Sequence, residues 1–370
     1  MSLAFTSSDQ LTLGIEEEVL LVEAGTRRLA HVADRVLAGL DLPDTLAAHE
    51  AFAAEVELRT AVCGNASGAR EALAQRRTAA AAAAAGADAE LMAVGLHPSA
   101  AHGDVRLVDA ERYRRLDRLV GGLIRRTPEC ALHVHVGMPD AEAAIRVLNE
   151  LRDHLPLLQG LAAASPYWFG SDSALASARF SIVRAYPRRG VPRAFRDWEE
   201  YEQVATALGA AGEFDDYTFI WWDVRAHPRL GTVEVREMDV QPSLDDACAL
   251  AALVHGLAAG ALDGAARPPE ARPHSEALAE SSFRASRDGL DATILHEGRL
   301  TPLPEVARAT VESVRGHARD VGSDDALDGI ERILREGGAP ARQRALVAAG
   351  GMDALLDHLV RETQGAPCPT

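Results

Sequence analysis

Four segments of this 370-residue chain alternate between apolar and charged residues with the two-residue period of a β-strand. They read GIEEEVLL at 14–21, AEVELRT at 54–60, CALHVHVG at 130–137 and GTVEVREMD at 231–239. In each segment one face is apolar, whereas the other carries carboxylates, imidazoles or guanidinium groups. The pattern therefore predicts a sheet with helices packed on its apolar face and a charged, concave opposite face.

The sequence between and after these strands indicates an α+β fold with a largely antiparallel sheet. Helical sequences lie at 31–40, 67–88, 110–125, 139–155 and 197–212. Ser67 is the expected N-cap of the second helix. Residues 217–240 predict a β-hairpin, and residues 166–196 predict a long loop region of the kind that is usually functional. The chain from about 243 is mostly helical, and no compositional break divides it, so a single domain over 1–370 is expected.

Charge and composition exclude several classes of protein. The formal net charge is −17, which argues against nucleic-acid binding because no broad basic surface would be present. No apolar run approaches the roughly 20 residues of a membrane span, and residues 1–10 lack the pattern of a signal peptide. The cysteines (Cys63, Cys130, Cys248 and Cys368) form no CxxC pair. Reduced thiols are therefore expected, instead of structural zinc or disulfides.

Residues two apart on a strand share a face, and this rule sorts the charged side chains. Glu16 and Glu18 share one face of the first strand, while Glu17 points with the apolar Ile15 and Val19. The sequence leaves open what neutralises Glu17. The other three strands place further charged residues together on one face: Glu55, Glu57 and Arg59; His133 and His135; Glu234 and Arg236.

Each of these patterns alone has an ordinary explanation. Consecutive glutamates usually form a solvated acidic face, an HxH pair is more often hydrogen-bonded than metal-bound, and VEVRE is a typical salt-bridge pattern. On four strands together, they favour a site where cations or ligand groups compensate the charges. Oxygen-rich sites with few imidazoles suit Mg²⁺ or Mn²⁺ better than zinc. Because the added arginines suit a nucleoside triphosphate, the sequence favours a metal–nucleotide site.

Several motifs in the same order resemble those of the carboxylate–amine ligase family, also called the type 2 glutamate–cysteine ligase family. The resemblance runs from about Thr12 to Leu290 and rests on GIEEE, HEAFAAEVELRTAVC, GLHP, ALHVHVG, ASPYWFGSDSALASARF, IWWDVRAHPRLGTVEVREMD and FRASRDGLDA. It implies a glutamine synthetase/guanido kinase-like catalytic fold. It also implies an ATP-dependent reaction, in which a carboxylate is phosphorylated to an acyl phosphate and an amine displaces phosphate to give an amide.

The resemblance further implies roles for residues on the charged face. The implied metal ligands are Glu16, Glu18, Glu57, His133 and Glu234, with Glu50 as a further carboxylate ligand. His135 would face the nucleotide phosphates, and Arg236 would stabilise the transferring phosphoryl group. Arg179 would bind the substrate carboxylate. Arg59 is either a second phosphate or carboxylate ligand, or the salt-bridge partner of a neighbouring glutamate.

The expected enzyme is a cytoplasmic, homo-oligomeric ligase that uses ATP and Mg²⁺ or Mn²⁺, with no nucleic-acid or membrane partner. Glutamate is the expected acyl donor, and cysteine is one option for the amine. The loop region 166–196 is expected to serve as a lid or substrate clamp. Trp221, Trp222 and Tyr167 are candidates for the pocket wall, with core packing as the alternative for at least one of them.

Two other functions stay open at this point. The HxH pair and the carboxylates could activate water in a metal-dependent hydrolase of an amide or phosphoester. The chain could also be a non-catalytic nucleotide-binding protein that has kept the fold.

Overall fold

A computed structural model describes residues 3–365 of the chain. Its strands are β1 (Leu13–Glu23), β2 (Ala47–His49), β3 (Glu55–Arg59), β4 (Ala89–Met92), β5 (Leu132–Gly137), β6 (Tyr167–Trp168), β7 (Ser171–Asp172), β8 (Val224–His227), β9 (Thr232–Val235), β10 (Thr293–His296) and β11 (Arg299–Pro302). Its α-helices are α1 (Ala33–Gly39), α2 (Ala66–Ala85), α3 (Glu111–Val120), α4 (Ala141–Asp153), α5 (Leu155–Ala162), α6 (Ala178–Val183), α7 (Trp198–Ala211), α8 (Leu244–Asp263), α9 (Ser275–Asp288), α10 (Leu303–Asp320), α11 (Asp324–Glu336) and α12 (Gly338–Thr363).

The main sheet is antiparallel, with its strands in the order β2-β3-β1-β5-β9-β8, and β4 pairs with the last residues of β1. The four strands that were predicted from alternation are therefore neighbours in one sheet. Helices α2, α4 and α8 pack against the apolar face of this sheet. The predicted α+β class, with a largely antiparallel sheet and helices on one face, is confirmed.

The strand register places the charged residues side by side. Glu16 on β1 lies opposite His133 on β5 and opposite Arg59 on β3, and Glu18 lies opposite Glu57. On the other side of β5, His135 pairs with Glu234 on β9. Because directly opposed residues point to the same face of a sheet, these side chains project together.

Helix α8 forms the centre of the layer behind the sheet. It is 20 residues long and, by length and composition, apolar enough to cross a membrane. The expectation that no segment of the chain approaches a membrane span missed this helix. The rest of the protein buries 78% of its most apolar window, however. A helix that is apolar on all sides is suited to the core of a large domain, and α8 occupies that position.

Glu17 finds its partner on the apolar side of β1. The Arg77 guanidinium on α2 binds both Glu17 carboxylate oxygens, at 2.7 and 2.9 Å. Arg77 also donates to the carbonyl oxygens of Gln241 and Pro242, each at 2.6 Å. Both charged side chains are fully buried, so this pair resolves the question that the sequence left open.

Several local predictions are wrong. Asn65, and not Ser67, caps α2, because the Asn65 side chain accepts a hydrogen bond from the Gly68 amide at 2.9 Å. The region 166–196 is not wholly a loop, since it contains the β6–β7 hairpin and α6. The helix predicted from 139 breaks at His154, where α4 ends and α5 begins. Strand β2 and the β10–β11 hairpin had no prediction.

The cysteines agree with the expected reduced thiols as far as the structure describes them. Cys63, Cys130 and Cys248 are free thiols, and Cys368 lies outside the described residues.

Candidate active site

The charged face of the sheet gathers carboxylates and imidazoles into two groups that share one histidine. Donor atoms of Glu16, His133 and Glu234 lie within 4.8 Å of one another, as do those of Glu18, Glu57 and His133. The imidazole of His133 belongs to both groups: its Nδ1 lies 3.4 Å from Glu16 in the first group, and its Nε2 lies 3.8 Å from Glu18 in the second. This geometry brings together five of the six predicted metal ligands.

Glu18 and Glu57 of this cluster, and the neighbouring Glu50, are buried at high electrostatic cost, whereas nearby histidines and arginines outweigh burial and lower the pKa values of Glu16 and Glu234. Burial and the neighbouring Glu50 raise the pKa of Glu18 to about 7, and burial together with Glu16 raises the pKa of Glu57 well above its ordinary value. Burial also raises the pKa of Glu50. Close, buried carboxylates are stabilised by a divalent cation, and their oxygens are the donors that Mg²⁺ and Mn²⁺ prefer. The donor set therefore fits these metals.

The two histidines differ in their electrostatics. Burial and the positive charge of Arg236 lower the pKa of His133 to about 3, so its imidazole is neutral and able to bind a metal. Burial alone would lower the pKa of His135, but the carboxylates of Glu16 and Glu234 outweigh burial and raise it. Thr232 lies 3.0 Å from Nδ1 of His135, and Nε2 faces Glu16 at 3.5 Å.

Arginines flank the cluster on both sides. Arg225 binds one oxygen of Glu234 at 2.7 and 3.1 Å, and Arg236 forms an ion pair with the other oxygen. Arg59 pairs with Glu57 and lies 3.4 Å from Glu16. The salt-bridge alternative for Arg59 is thus observed, while its guanidinium still lines the cavity described next.

Two adjoining cavities open over the charged face. The larger, of about 210 Å³, contains the carboxylate–imidazole cluster together with Arg59, Arg112, Arg225 and Arg236. The smaller, of about 130 Å³, lies beside it. Both are bordered by the same set of residues: Glu18, Glu50, Leu116, His133, Trp221 and Arg236. We call this set the shared wall.

The remaining predicted residues also lie at these cavities. Glu50 follows β2 and is part of the shared wall, although it belongs to neither metal-ligand group. Arg179 lines the smaller cavity from α6. Trp221 lines both cavities. Trp222 and Tyr167 are buried in the hydrophobic core, which agrees with the alternative prediction of core packing.

Other residues at the cavities were missed from the sequence. Arg225 lies directly opposite Glu234 across the β8–β9 hairpin, so pairing the predicted hairpin would have found it. Arg112, Glu129, Tyr186 and Arg189 lie outside the sheet, on α3 or in irregular segments. No strand periodicity marks them.

Comparison with known proteins gives the family. Residues 12–358 match the model of glutamate–cysteine ligase family 2. The "Putative glutamate–cysteine ligase 2-1" of Rubrobacter xylanophilus is 36% identical over 345 residues, which cover 92% of this chain and 91% of that protein. A second R. xylanophilus protein, "Putative glutamate–cysteine ligase 2-3", is 36% identical over 98% of this chain and all of that protein.

Solved structures share the fold at low sequence identity. A glutamate–cysteine ligase from Francisella tularensis in complex with AMP aligns with a TM-score of 0.67 at 14% identity, over 96% of this chain and 88% of that one. A bifunctional glutathione synthetase from Pasteurella multocida aligns with the same TM-score at 13% identity, over 96% of this chain and 52% of that one.

These matches confirm both the family resemblance and the enzyme class that it implied. The chain belongs to glutamate–cysteine ligase family 2, a family of ATP-dependent ligases that form carbon–nitrogen bonds.

Proposed function

We propose that this protein is an ATP- and Mg²⁺-dependent carboxylate–amine ligase that forms an amide through an acyl phosphate and releases ADP and phosphate. One observation carries the proposal: two carboxylate–histidine groups share His133 on one sheet face, with arginines on either side. Phosphoryl transfer needs this combination of hard-cation ligands and fixed positive charge.

The reaction has two steps, phosphorylation of the carboxylate and formation of the amide. A carboxylate oxygen of the acyl donor attacks the γ-phosphorus of ATP, and the bond from that phosphorus to the ADP oxygen breaks. The amine nitrogen then attacks the acyl carbon, the carbon–oxygen bond to phosphate breaks, and the nitrogen loses a proton. Divalent cations, held by Glu16, Glu18, Glu57, His133 and Glu234, would neutralise phosphate charge and orient the phosphates.

Arginines and a histidine of the chain would supply the remaining contacts to the phosphates. Arg236 lies on the shared wall, where a carboxylate in the smaller cavity can meet a phosphate in the larger one. Its fixed positive charge would stabilise the transferring phosphoryl group. His135, whose pKa is raised by Glu16 and Glu234, and Arg59 would contact the other phosphate oxygens. Trp221 and Leu116 form the apolar part of the shared wall and would limit hydrolysis of the acyl phosphate.

The names of the relatives favour glutamate as the acyl donor and cysteine as one amine. The proposed product is therefore a γ-glutamyl amide. We further propose that the chain is a single catalytic domain, that it is cytoplasmic and that it forms homo-oligomers.

A metal-dependent hydrolase is the other enzyme that this donor set could support, because a metal and HxH pair can activate water. The family membership favours the ligase. Dependence on ATP separates the two, since a hydrolase would cleave an amide or phosphoester without it.

The test is to incubate purified protein with ATP, Mg²⁺, glutamate and a panel of amines, and to identify products by mass spectrometry. We expect one amide, one ADP and one phosphate per turnover, and no amide without ATP. His133→Ala should abolish turnover, while the control His102→Ala, in an exposed loop, should retain it. Amide hydrolysis without ATP, or full activity of His133→Ala, would contradict the proposal.

A further inference from the structure

The smaller cavity is also lined by charged residues that the proposed metal and phosphate contacts do not use. Apart from the shared wall, its lining includes Glu55, Glu129, Arg179, Tyr186 and Arg189. Both signs of charge therefore face one small space. A lining of this kind is suited to a ligand that carries a positive and a negative group.

Glu129 has a neutral hydrogen-bond partner. The Tyr186 hydroxyl lies 2.9 and 3.0 Å from its two carboxylate oxygens. The nearest guanidinium, Arg126, is 3.9 Å away and donates instead to the carbonyl oxygens of Leu123 and Ile182, at 2.9 and 2.7 Å. Within residues 3–365, this buried carboxylate thus has no cationic hydrogen-bond donor. Burial raises its pKa to about 7, and a bound cation would favour its ionised form.

Tyr186 is itself held firmly. Its ring packs edge-on against Trp221, with ring centroids 6.1 Å apart, and the Arg126 guanidinium lies over its face at 5.4 Å. These contacts fix the hydroxyl that orients Glu129. Arg188 in turn lies over the Trp221 ring at 4.7 Å.

Arg179 supplies the opposite charge with unused donors. Its side chain is 3% exposed; its Nη1 donates to the Glu237 carbonyl oxygen at 2.9 Å and lies 3.5 Å from the Asp239 carboxylate. Its Nε is buried and meets no acceptor among the described residues. Arg189, also buried, has an Nε that makes no hydrogen bond with good geometry, although Asp223 lies 3.2 Å away. Buried guanidinium donors without acceptors indicate a site for an anionic group.

We propose that Glu129, oriented by Tyr186, is a specificity residue that binds the ammonium group of the acyl donor, while Arg179 binds the α-carboxylate of the same molecule. A second carboxylate on the same molecule would then reach the shared wall at Arg236 and His133. The inference rests on the proposed ligase activity and adds to it a specificity residue outside the metal cluster.

The ammonium group in question is the one that does not react. This spectator ammonium belongs to the same molecule as the α-carboxylate, and Glu129 lines the same cavity as Arg179, the proposed partner of that α-carboxylate.

The experiment compares acids that differ by one amino group: L-glutamate with glutarate, and L-aspartate with succinate. For the wild type, one of the two amino acids should be the preferred acyl donor. Its kcat/KM for amide formation should exceed that of the acid without the amino group by about 100-fold or more, since the latter leaves buried charges unpaired. Glu129→Gln should reduce this ratio at least tenfold, mainly through loss on the amino acid. Tyr186→Phe should reduce it less, through KM. The control Glu199→Gln, an exposed glutamate on α7, should keep the wild-type ratio.

A binding measurement separates failure of this inference from failure of the ligase proposal. Calorimetric titration of wild type and Glu129→Gln with L-glutamate and glutarate, in the presence of Mg²⁺ and ADP, needs no turnover. Preference for L-glutamate that Glu129→Gln removes would support the inference even if no amide formed. An unchanged preference in folded Glu129→Gln, or equal wild-type binding of glutamate and glutarate, would overturn it.

Discussion

Glu17 and its neighbours Glu16 and Glu18 show two ways to bury a carboxylate on a single strand. Glu17 lies behind the sheet, where Arg77 binds both of its oxygens and two backbone carbonyls accept the remaining Arg77 donors. Glu16 and Glu18 lie in front of the sheet, among other carboxylates and histidines. The first arrangement is complete within the protein. In the second, His135 and His133 outweigh burial and hold the pKa of Glu16 well below its ordinary value, whereas burial and Glu50 raise the pKa of Glu18, so Glu18 depends on groups from outside.

This difference separates residues that stabilise the fold from residues that bind ligands. A complete buried ion pair fixes α2 against β1, so its loss should affect stability. The buried charges of Glu18 and Glu57 oppose folding, so their loss should affect binding and activity instead. Adjacent positions on β1 can therefore be tested against each other.

The largest effect should come from Glu18→Gln. It removes a proposed metal ligand without changing side-chain size, and we expect kcat/KM for amide formation to fall by about 10³-fold, or about 4 kcal/mol. The free energy of unfolding should stay the same or rise, because burial and Glu50 already disfavour this charge. Glu23→Gln, at the exposed end of β1, is the matched control and should change neither quantity. Equal activity of both variants would remove Glu18 from the site.

Glu17→Gln should give the opposite result. Breaking a buried ion pair and leaving the Arg77 charge without its partner should lower the free energy of unfolding by about 3–5 kcal/mol. Denaturant unfolding monitored by circular dichroism measures this change. At low temperature, the fraction that remains folded should retain most of its activity. A variant with wild-type stability and no activity would place Glu17 in the active site.

Metal binding at the front of the sheet should stabilise the folded protein as a whole. With Mg²⁺ at about 100 times its dissociation constant, the folded protein should gain about 2.7 kcal/mol, seen as a rise in Tm. Glu57→Gln should reduce this gain, because it removes a carboxylate from one ligand group. Glu23→Gln should respond as the wild type does. A full Mg²⁺ response in Glu57→Gln would contradict the assigned ligand set.

The smallest effect concerns the helix that carries Arg77. Asn65→Ala should lower the free energy of unfolding by about 1 kcal/mol, because it removes the cap of α2. Ser67→Ala should change it by less than about 0.5 kcal/mol. Thermal unfolding of the two variants distinguishes them, and equal losses would mean that Ser67 contributes to the cap after all.

The charged face could be predicted from sequence because strand geometry is local. Alternation alone fixes that Glu16 and Glu18 share a face, and that His133 and His135 do so. The Arg77 partner of Glu17 could not be found in this way. It depends on how α2 is rotated against β1 and on carbonyl groups at 241–242, which come from distant parts of the chain.

The smaller cavity and the helix ends could not be predicted from sequence either, because they too depend on the three-dimensional arrangement of the chain. Glu129 and Tyr186 come from segments without strand periodicity and reach the cavity through tertiary contacts, among them the packing of Tyr186 against Trp221. Helix α6 has six residues, too few for a helical period to show. Asn65 and Ser67 are both good capping residues, so backbone geometry, with Asn65 extended, decides between them.

The most direct test follows an oxygen atom through the reaction. An acyl donor whose reacting carboxylate carries ¹⁸O is converted to amide with unlabelled ATP and water, and the phosphate is analysed by mass spectrometry. The acyl-phosphate route transfers one carboxylate oxygen to phosphate, so we expect one ¹⁸O in phosphate for each amide formed from fully labelled carboxylate. Amide formation with unlabelled phosphate, or phosphate release without amide, would contradict a ligase that works through an acyl phosphate.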